Sequence, residues 1–366
     1  MSTITKKLIS TLLTLTLLIV GIYYSPKTIN ADDYYGDMEL KVNNTFKVTN
    51  NISVNLVRRA QNITVDENCV YLAMRVDADN DGMEDDLLVI RYWTHSNENS
   101  TPHYKDNRRI LYPAKVSFTN NNLDDCMVIK NAGHGEVLDM IHTNNGYYFL
   151  TGGHSCNWGG HNCSNDTKRD HFSQKLVIFK YETGAYKNYT DYCVLNTEKK
   201  GKTNRVLGAF NDYGTELIVR ERYYNYKNSK DKNNNKWFTT VYNTSSLLSK
   251  ATSVGNGVNK TAINLNNIKK NVATYSGDKA SYYSTVQGLE LSGNYALISS
   301  GNGAKSNQYP YYSYFKKNRV KSTYEQGAVE IRGDGYLEAQ GLCSYKKHIY
   351  FLHVGSLTTK IYISSI

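Results

Sequence analysis

Several familiar signals are missing from this chain. Lysine and arginine never gather into a run long enough for a nucleic-acid patch, and no helix-turn-helix or zinc-finger spacing occurs. No stretch reads G-x-S-x-G, H-E-x-x-H or G-x-x-x-x-G-K, so no hydrolase elbow, zinc-protease helix or phosphate loop is written locally. Beyond the first turns of the amino terminus, no apolar run is long enough to cross a membrane. Proline is scarce, 4 residues against 32 tyrosines. Tyrosine joins an apolar ring to a polar tip and favours strands, so the composition leans to β.

The one long apolar run is Leu8–Tyr24, preceded by Lys6 and Lys7 and followed by Ala31 and an acidic, polar stretch. This is the layout of a secretory signal peptide with cleavage after Ala31. An uncleaved anchor is the alternative, although 17 residues is short against the ~20 of a membrane span. The expected organisation is therefore a leader over 1–31 and one secreted domain over 32–366, with no stable membrane span after cleavage. Cleavage removes three lysines and no acid, taking the formal charge from +10 to +7. A secreted protein of that charge is drawn to anionic surfaces such as bacterial envelopes and acidic glycans. Export also permits disulfides. Of six cysteines, Cys156 and Cys163 are the best local pair, closing CNWGGHNC within one loop. Cys69 and Cys343 lie at or in strand runs and read as small buried apolar residues.

What the chain does contain is repetition. Gln-Gly-Leu occurs at Gln287 and again at Gln340, each followed by a resumed run of strand formers. Related phrases start at Gln61, Leu138 and Leu207. Ten residues after each anchor comes a second apolar pair: Tyr71-Leu72, Tyr148-Phe149, Leu217-Ile218, Leu297-Ile298 and Tyr350-Phe351. The gaps hold Asp, Asn, Gly, Ser or Lys, so each phrase reads as strand, turn, strand. Polar, variable segments follow, then further strand runs at 175–181, 238–242 and 327–331. The predicted fold is an all-β, five-bladed β-propeller with four-stranded blades. After Gln340 too little chain remains for four strands. A strand within 38–42 or 45–48 is expected to complete the last blade and close the ring.

The phrases GHGEVLDM around His134, STVQGLELSGNYALISS around Gln287 and LEAQGLCSYKKHIYFL around Gln340 resemble the helveticin J family of large, heat-labile bacteriocins. The resemblance implies a secreted propeller with antibacterial activity against related bacteria, which binds their envelope or a surface glycan. It supplies no catalytic residue, so the leading expectation is a non-enzyme.

The sharpest local motif is DADNDGMEDDLLVI. Asp77, Asp79 and Asp81 stand at positions 1, 3 and 5, Gly82 at 6, Met83 offers its carbonyl at 7, and Asp85 its carboxylate at 9. Oxygen donors so spaced suit Ca²⁺. An exposed acidic hairpin tip is the plain alternative. Trp158 and His161 in the Cys156 loop, and Tyr309, Tyr311 and Tyr312 further on, form candidate sugar-binding surfaces. Zinc on His154, Cys156, His161 and Cys163 is disfavoured by spacing.

The predicted inner strands carry Arg59 and Gln61, Glu136, Arg205, Thr285 and Gln287, and Glu338 and Gln340. If these strands line a channel, the groups converge. Glu136 and Glu338 then become a candidate carboxylate pair for glycoside hydrolysis. The preferred reading is a structural network in which Arg59 and Arg205 neutralise them, with catalysis the alternative.

Overall fold

A computed structural model of the chain describes residues 60–79, 83–93, 125–144, 146–156, 172–197, 203–223, 237–252, 257–277, 286–300, 311–318, 338–346, 348–354 and 359–365, together with the strand backbone of nine short segments elsewhere. Twenty strands carry the architecture. They are β1 (Gly36–Leu40), β2 (Ala60–Val65), β3 (Cys69–Val76), β4 (Asp86–Trp93), β5 (Cys126–Lys130), β6 (Leu138–Thr143), β7 (Gly146–Cys156), β8 (Phe172–Phe179), β9 (Cys193–Asn196) and β10 (Thr203–Phe210) in the first half. The second half holds β11 (Glu216–Tyr223), β12 (Trp237–Asn243), β13 (Lys270–Gly277), β14 (Val286–Ser292), β15 (Tyr295–Ser300), β16 (Tyr311–Lys316), β17 (Gly327–Ile331), β18 (Glu338–Tyr345), β19 (His348–Val354) and β20 (Thr359–Ser365). The α-helix α1 (Ser245–Ala251) follows β12.

Each anchor phrase opens an antiparallel meander. The quartets β2–β5, β6–β9, β10–β13 and β14–β17 pair consecutively. In the last unit β18, β19 and β20 pair in order. On the outer side of β20, Gly36–Met38 of β1 runs antiparallel to Ile361–Ile363. The segment expected at 45–48 instead forms a separate hairpin, Thr45–Thr49 with Ile52–Asn55. β1 also lies parallel to Arg108–Pro113, which joins the first and last units into one eleven-stranded sheet. The first strands of the units lie against one another in the order β2, β6, β10, β14, β18, with β18 back against β2. This is an all-β propeller arrangement.

Two strand expectations need correction. The segment around Tyr311, read as loop, is the third strand of its unit, and 327–331 is the fourth. The alternation in Tyr-Tyr-Ser-Tyr-Phe was the signal for it. Within the expected leader, Lys27–Ile29 pairs parallel with Val329–Ile331; the other residues of 1–31 lie outside the described ones. Among the described residues no helix is long and apolar enough to cross a membrane.

Burial on both faces explains the composition of the second and third strands. Leu87, Val89, Met127, Phe149, Val177 and Phe179 form a core between the first two units, while Leu88, Ile90, Leu352 and Ile361 form another between the first and last. A blade has no solvent face near the hub, so its strands read as unbroken apolar runs.

The repeated phrase has a local cause. Pairing of the first two strands slips by one residue at Gln61, Gln287 and Gln340-Gly341, and again at Asn204. These are β-bulges, which bend the inner strand at the channel mouth. The glycine after Gln lets adjacent hub strands touch. A Cβ on Gly288 would meet Gln340 O at 3.1 Å, and one on Gly341 would meet Asn62 Cα at 2.5 Å. The first unit has Asn62 in that place, and its amide spans the next seam by donating to Glu136 O at 2.7 Å.

Candidate functional site

Two polar clusters occupy the hub. One, at the starts of the first strands, contains the residues expected to converge. Gln61, Glu136, Arg205, Gln287 and Gln340 are all buried there, and Glu338 is half-buried. Arg59 and Thr285 lie outside the described residues. Arg205 grips Glu136 with two guanidinium nitrogens, Nε to Oε2 at 2.8 Å and Nη2 to Oε1, and Nη2 also donates to Val286 O. Gln287 Nε2 donates to Glu338 Oε1 at 2.9 Å. Glu136 thus stands in the structural network with Arg205 that was preferred over a catalytic pair, its carboxylate held bidentately by a buried guanidinium.

His134 sits beside this network. Gly133 and Gly135 have φ of +94° and +80°, a conformation costly for residues with a side chain. Arg75 Nη1 donates to His134 Nδ1 at 2.9 Å. Burial, with the charges of Arg75 and Arg205, holds the imidazole pKa well below its ordinary value. It is neutral at pH 7.

Removing one partner of the Glu136–Arg205 pair leaves a buried charge unanswered. Glu136→Gln should cost about 3 kcal/mol of stability in urea unfolding, and Glu136→Gln combined with Arg205→Met should recover most of it. A loss below ~0.5 kcal/mol in the single variant would refute this account of the pair.

The second cluster lies where the first strands run into their hairpin turns, and no sequence motif announced it. Asp139 on β6, Asp212 after β10, Glu290 on β14 and Ser344 on β18 come from four units. Asp139 Oδ2 accepts from Phe210 N, and its Oδ1 accepts from Met140 N at 2.7 Å. Ser292 Oγ donates to Asp212 Oδ2 at 3.2 Å. Ser344 Oγ contacts both Asp212 Oδ1 and Glu290 Oε1, the latter at 2.7 Å. Glu290 is 2% exposed, whereas Asp212 is open to solvent beside Tyr213, 80% exposed. Burial pushes both Glu290 and Asp139 above the carboxylate range. The Asp139 and Asp212 charges add to the effect on Glu290, and Asp212 adds to that on Asp139.

Ser344 Oγ thus stands between the two carboxyl groups, within donating reach of one oxygen of each. The signal in the sequence was faint: Asp139 and Glu290 each follow a leucine of the repeated phrase, but two places apart in its register.

Asp86 repeats the raised behaviour elsewhere. Its Oδ2 accepts from Ala78 N and Asp79 N at 2.9 and 3.2 Å, and its Oδ1 from Asn131 N at 2.9 Å. Burial, then the charges of Asp79 and Asp85, push it up to about 7. Asp86, Asp139 and Glu290 bind protons more tightly folded than unfolded. Their contribution is complete below the ordinary carboxylate range near pH ~4 and is lost as pH rises through their raised folded values, about 7 for Asp86 and Asp139. The melting temperature should therefore fall between pH 5 and pH 8; a flat or rising profile in calorimetry would contradict this.

The remaining candidates divide. In the acidic loop Asp77 and Met83 are half-buried, Asp79 is exposed and Asp85 is buried, while Asp81 lies outside the described residues. Among the described residues no cluster of three His, Cys, Asp or Glu could hold a metal. Tyr312 is corrected: it is 2% exposed, packed 4.4 Å from Phe351 and stacked on His353 between units, so it faces no ligand. Tyr311 is in a strand, with only its backbone described. Tyr309, Trp158, His161 and Cys163 lie outside the described residues, and Cys156 ends β7 with only its backbone described. Cys69, Cys126, Cys193 and Cys343 are buried.

No family model and no curated protein matches the chain. Solved structures similar to it include a GH43_1 enzyme from Xanthomonas citri, 9% identical over 88% of this chain and 89% of that one, with a TM-score of 0.41. An exo-beta-1,3-galactanase from Phanerochaete chrysosporium is 8% identical over 85% of this chain and 60% of that one, at 0.40. A glycosyl hydrolase from Bacteroides ovatus is 8% identical over 88% of each, at 0.39. Likeness of this degree carries no argument about chemistry.

Proposed function

We propose that the protein is a carbohydrate-active enzyme that hydrolyses glycosidic bonds at the Asp212–Glu290 mouth of its channel. The observation that carries this reading is the Glu290–Ser344–Asp212 cluster: a buried carboxyl whose pKa burial raises and an exposed carboxyl contact one serine. Two hydrogen bonds through a single oxygen place the carboxyl oxygens roughly 5 Å apart or less, in the range of retaining rather than inverting glycosidases. Glu290 would protonate the leaving-group oxygen as the glycosidic bond breaks, while Asp212 attacks the anomeric carbon. Water, deprotonated by Glu290, would then release the sugar and free Asp212. Tyr213 beside the pair offers a ring face for stacking on a sugar.

Five blades complete the proposal. The eleven-stranded sheet counts as two, and β1 on the edge of β20 closes the ring. Secretion, a calcium ion in the loop from Asp77, and an envelope glycan as substrate belong to the same proposal. The phrases behind the helveticin resemblance hold the bulge and seam residues and also Asp139, Glu290 and Ser344 of this cluster. Antibacterial action is what hydrolysis of an envelope polysaccharide would produce.

The test is release of new reducing ends from purified Gram-positive cell-wall polysaccharide and from a panel of 4-nitrophenyl glycosides, with a spot assay on lawns of related bacteria alongside. Hydrolysis is expected. No release from any substrate, while the folded protein still binds or kills, would replace the enzyme by a glycan-binding propeller.

A further inference from the structure

The third unit buries a cation that no described residue answers with a hydrogen bond. Arg220 is 0% exposed, and none of its three guanidinium nitrogens has a hydrogen-bond partner. Its cross-strand neighbours are Leu207 and Thr239, and the row beside it places Arg205 opposite Arg222 and Arg222 opposite Trp237. Residues two apart share a strand face, so Arg205, Arg220, Arg222 and Trp237 lie together, while Glu221 lies on the opposite face. Glu136 answers Arg205. Trp237 packs 5.0 Å from Arg220 and 5.7 Å from Arg205. A cation–π contact offsets only part of what it costs to desolvate a whole charge. Tyr275, whose charge would also favour the cation, spends its hydroxyl proton on Lys317 O.

We propose that this face of the third unit holds a small inorganic anion of the halide class on the Arg220 guanidinium, as a structural ion. A single buried guanidinium as the donor set suits a monatomic ion. A phosphate, with four oxygens to satisfy, does not fit that donor set. The site lies apart from the Asp212–Glu290 mouth and does not depend on the enzymatic reading.

Sodium chloride and sodium gluconate at equal ionic strength test it. The wild-type melting temperature should rise by about 2 °C for each tenfold increase of chloride above its Kd. Arg220→Met, which keeps the bulk and removes the charge, should abolish the response. Crystals soaked in bromide should show an anomalous peak within hydrogen-bond reach of the guanidinium, a readout that stands even if the variant fails to fold. Equal melting in the two salts, a chloride response that survives in Arg220→Met, or a water only at that position would overturn the proposal.

Discussion

Glu290→Gln should lower kcat on any accepted glycan by at least about 100-fold, because the amide cannot give a proton to the leaving group. The fold should survive. Glutamine fills the same space, keeps an oxygen or an N–H for Ser344, and removes an acid whose ionisation burial already disfavours. Asp212→Ala should lose as much, and added azide should restore turnover by attacking in place of the carboxylate. The readouts separate chemistry from structure. The melting temperature of Glu290→Gln should match or exceed the wild type at pH 8, where the native carboxyl is under most strain to ionise. Wild-type turnover in Glu290→Gln would remove the acid from the mechanism, and with it the reason to call this cluster a site.

Gly341→Ala should cost at least about 4 kcal/mol and prevent folding at physiological temperature, an extreme value for a single methyl. The added Cβ would lie 2.0 Å from Asn62 Oδ1 and 2.5 Å from Asn62 Cα, so the neighbouring backbone must itself retreat. That backbone belongs to β2, the partner of β18 in the hub. Asn62 also bridges onward to Glu136 O, so the disturbance would reach a second seam. Gly293→Ala is the control. Its φ is +54°, but its Cβ meets nothing within 4 Å, so only the backbone term of about 1 kcal/mol applies. Similar melting curves for the two variants would show that the hub strands are not in close contact at Gly341.

Much of this architecture was legible beforehand. The five anchors, their partner strands and the pairing of the early chain with the last unit followed from period and turn chemistry. The channel residues Gln61, Glu136, Arg205, Gln287 and Gln340 were read correctly as convergent, because alternation in a strand is a local property. For Glu136 the sequence favoured a structural partner in Arg205 without deciding it. A carboxylate opposite a channel is a catalyst or a structural anchor depending on whether a guanidinium 69 residues away reaches it, and Arg205 does. Tyr312 failed for the same reason. Its ring is aromatic in either place, and only the approach of Phe351 and His353 shows that it is buried.

Asp139, Asp212, Glu290 and Ser344 belong to four units and share no motif. Taken singly they are ordinary strand and turn residues. Sequence alone determined the repeat and the strand order, since these rest on side-chain periodicity and turn formers acting over a few residues. Tertiary structure alone decided which carboxyl is raised by burial, which arginine is answered and which glycine is irreplaceable. Burial, charge proximity and contact distance arise only when segments far apart in the chain are brought around one axis.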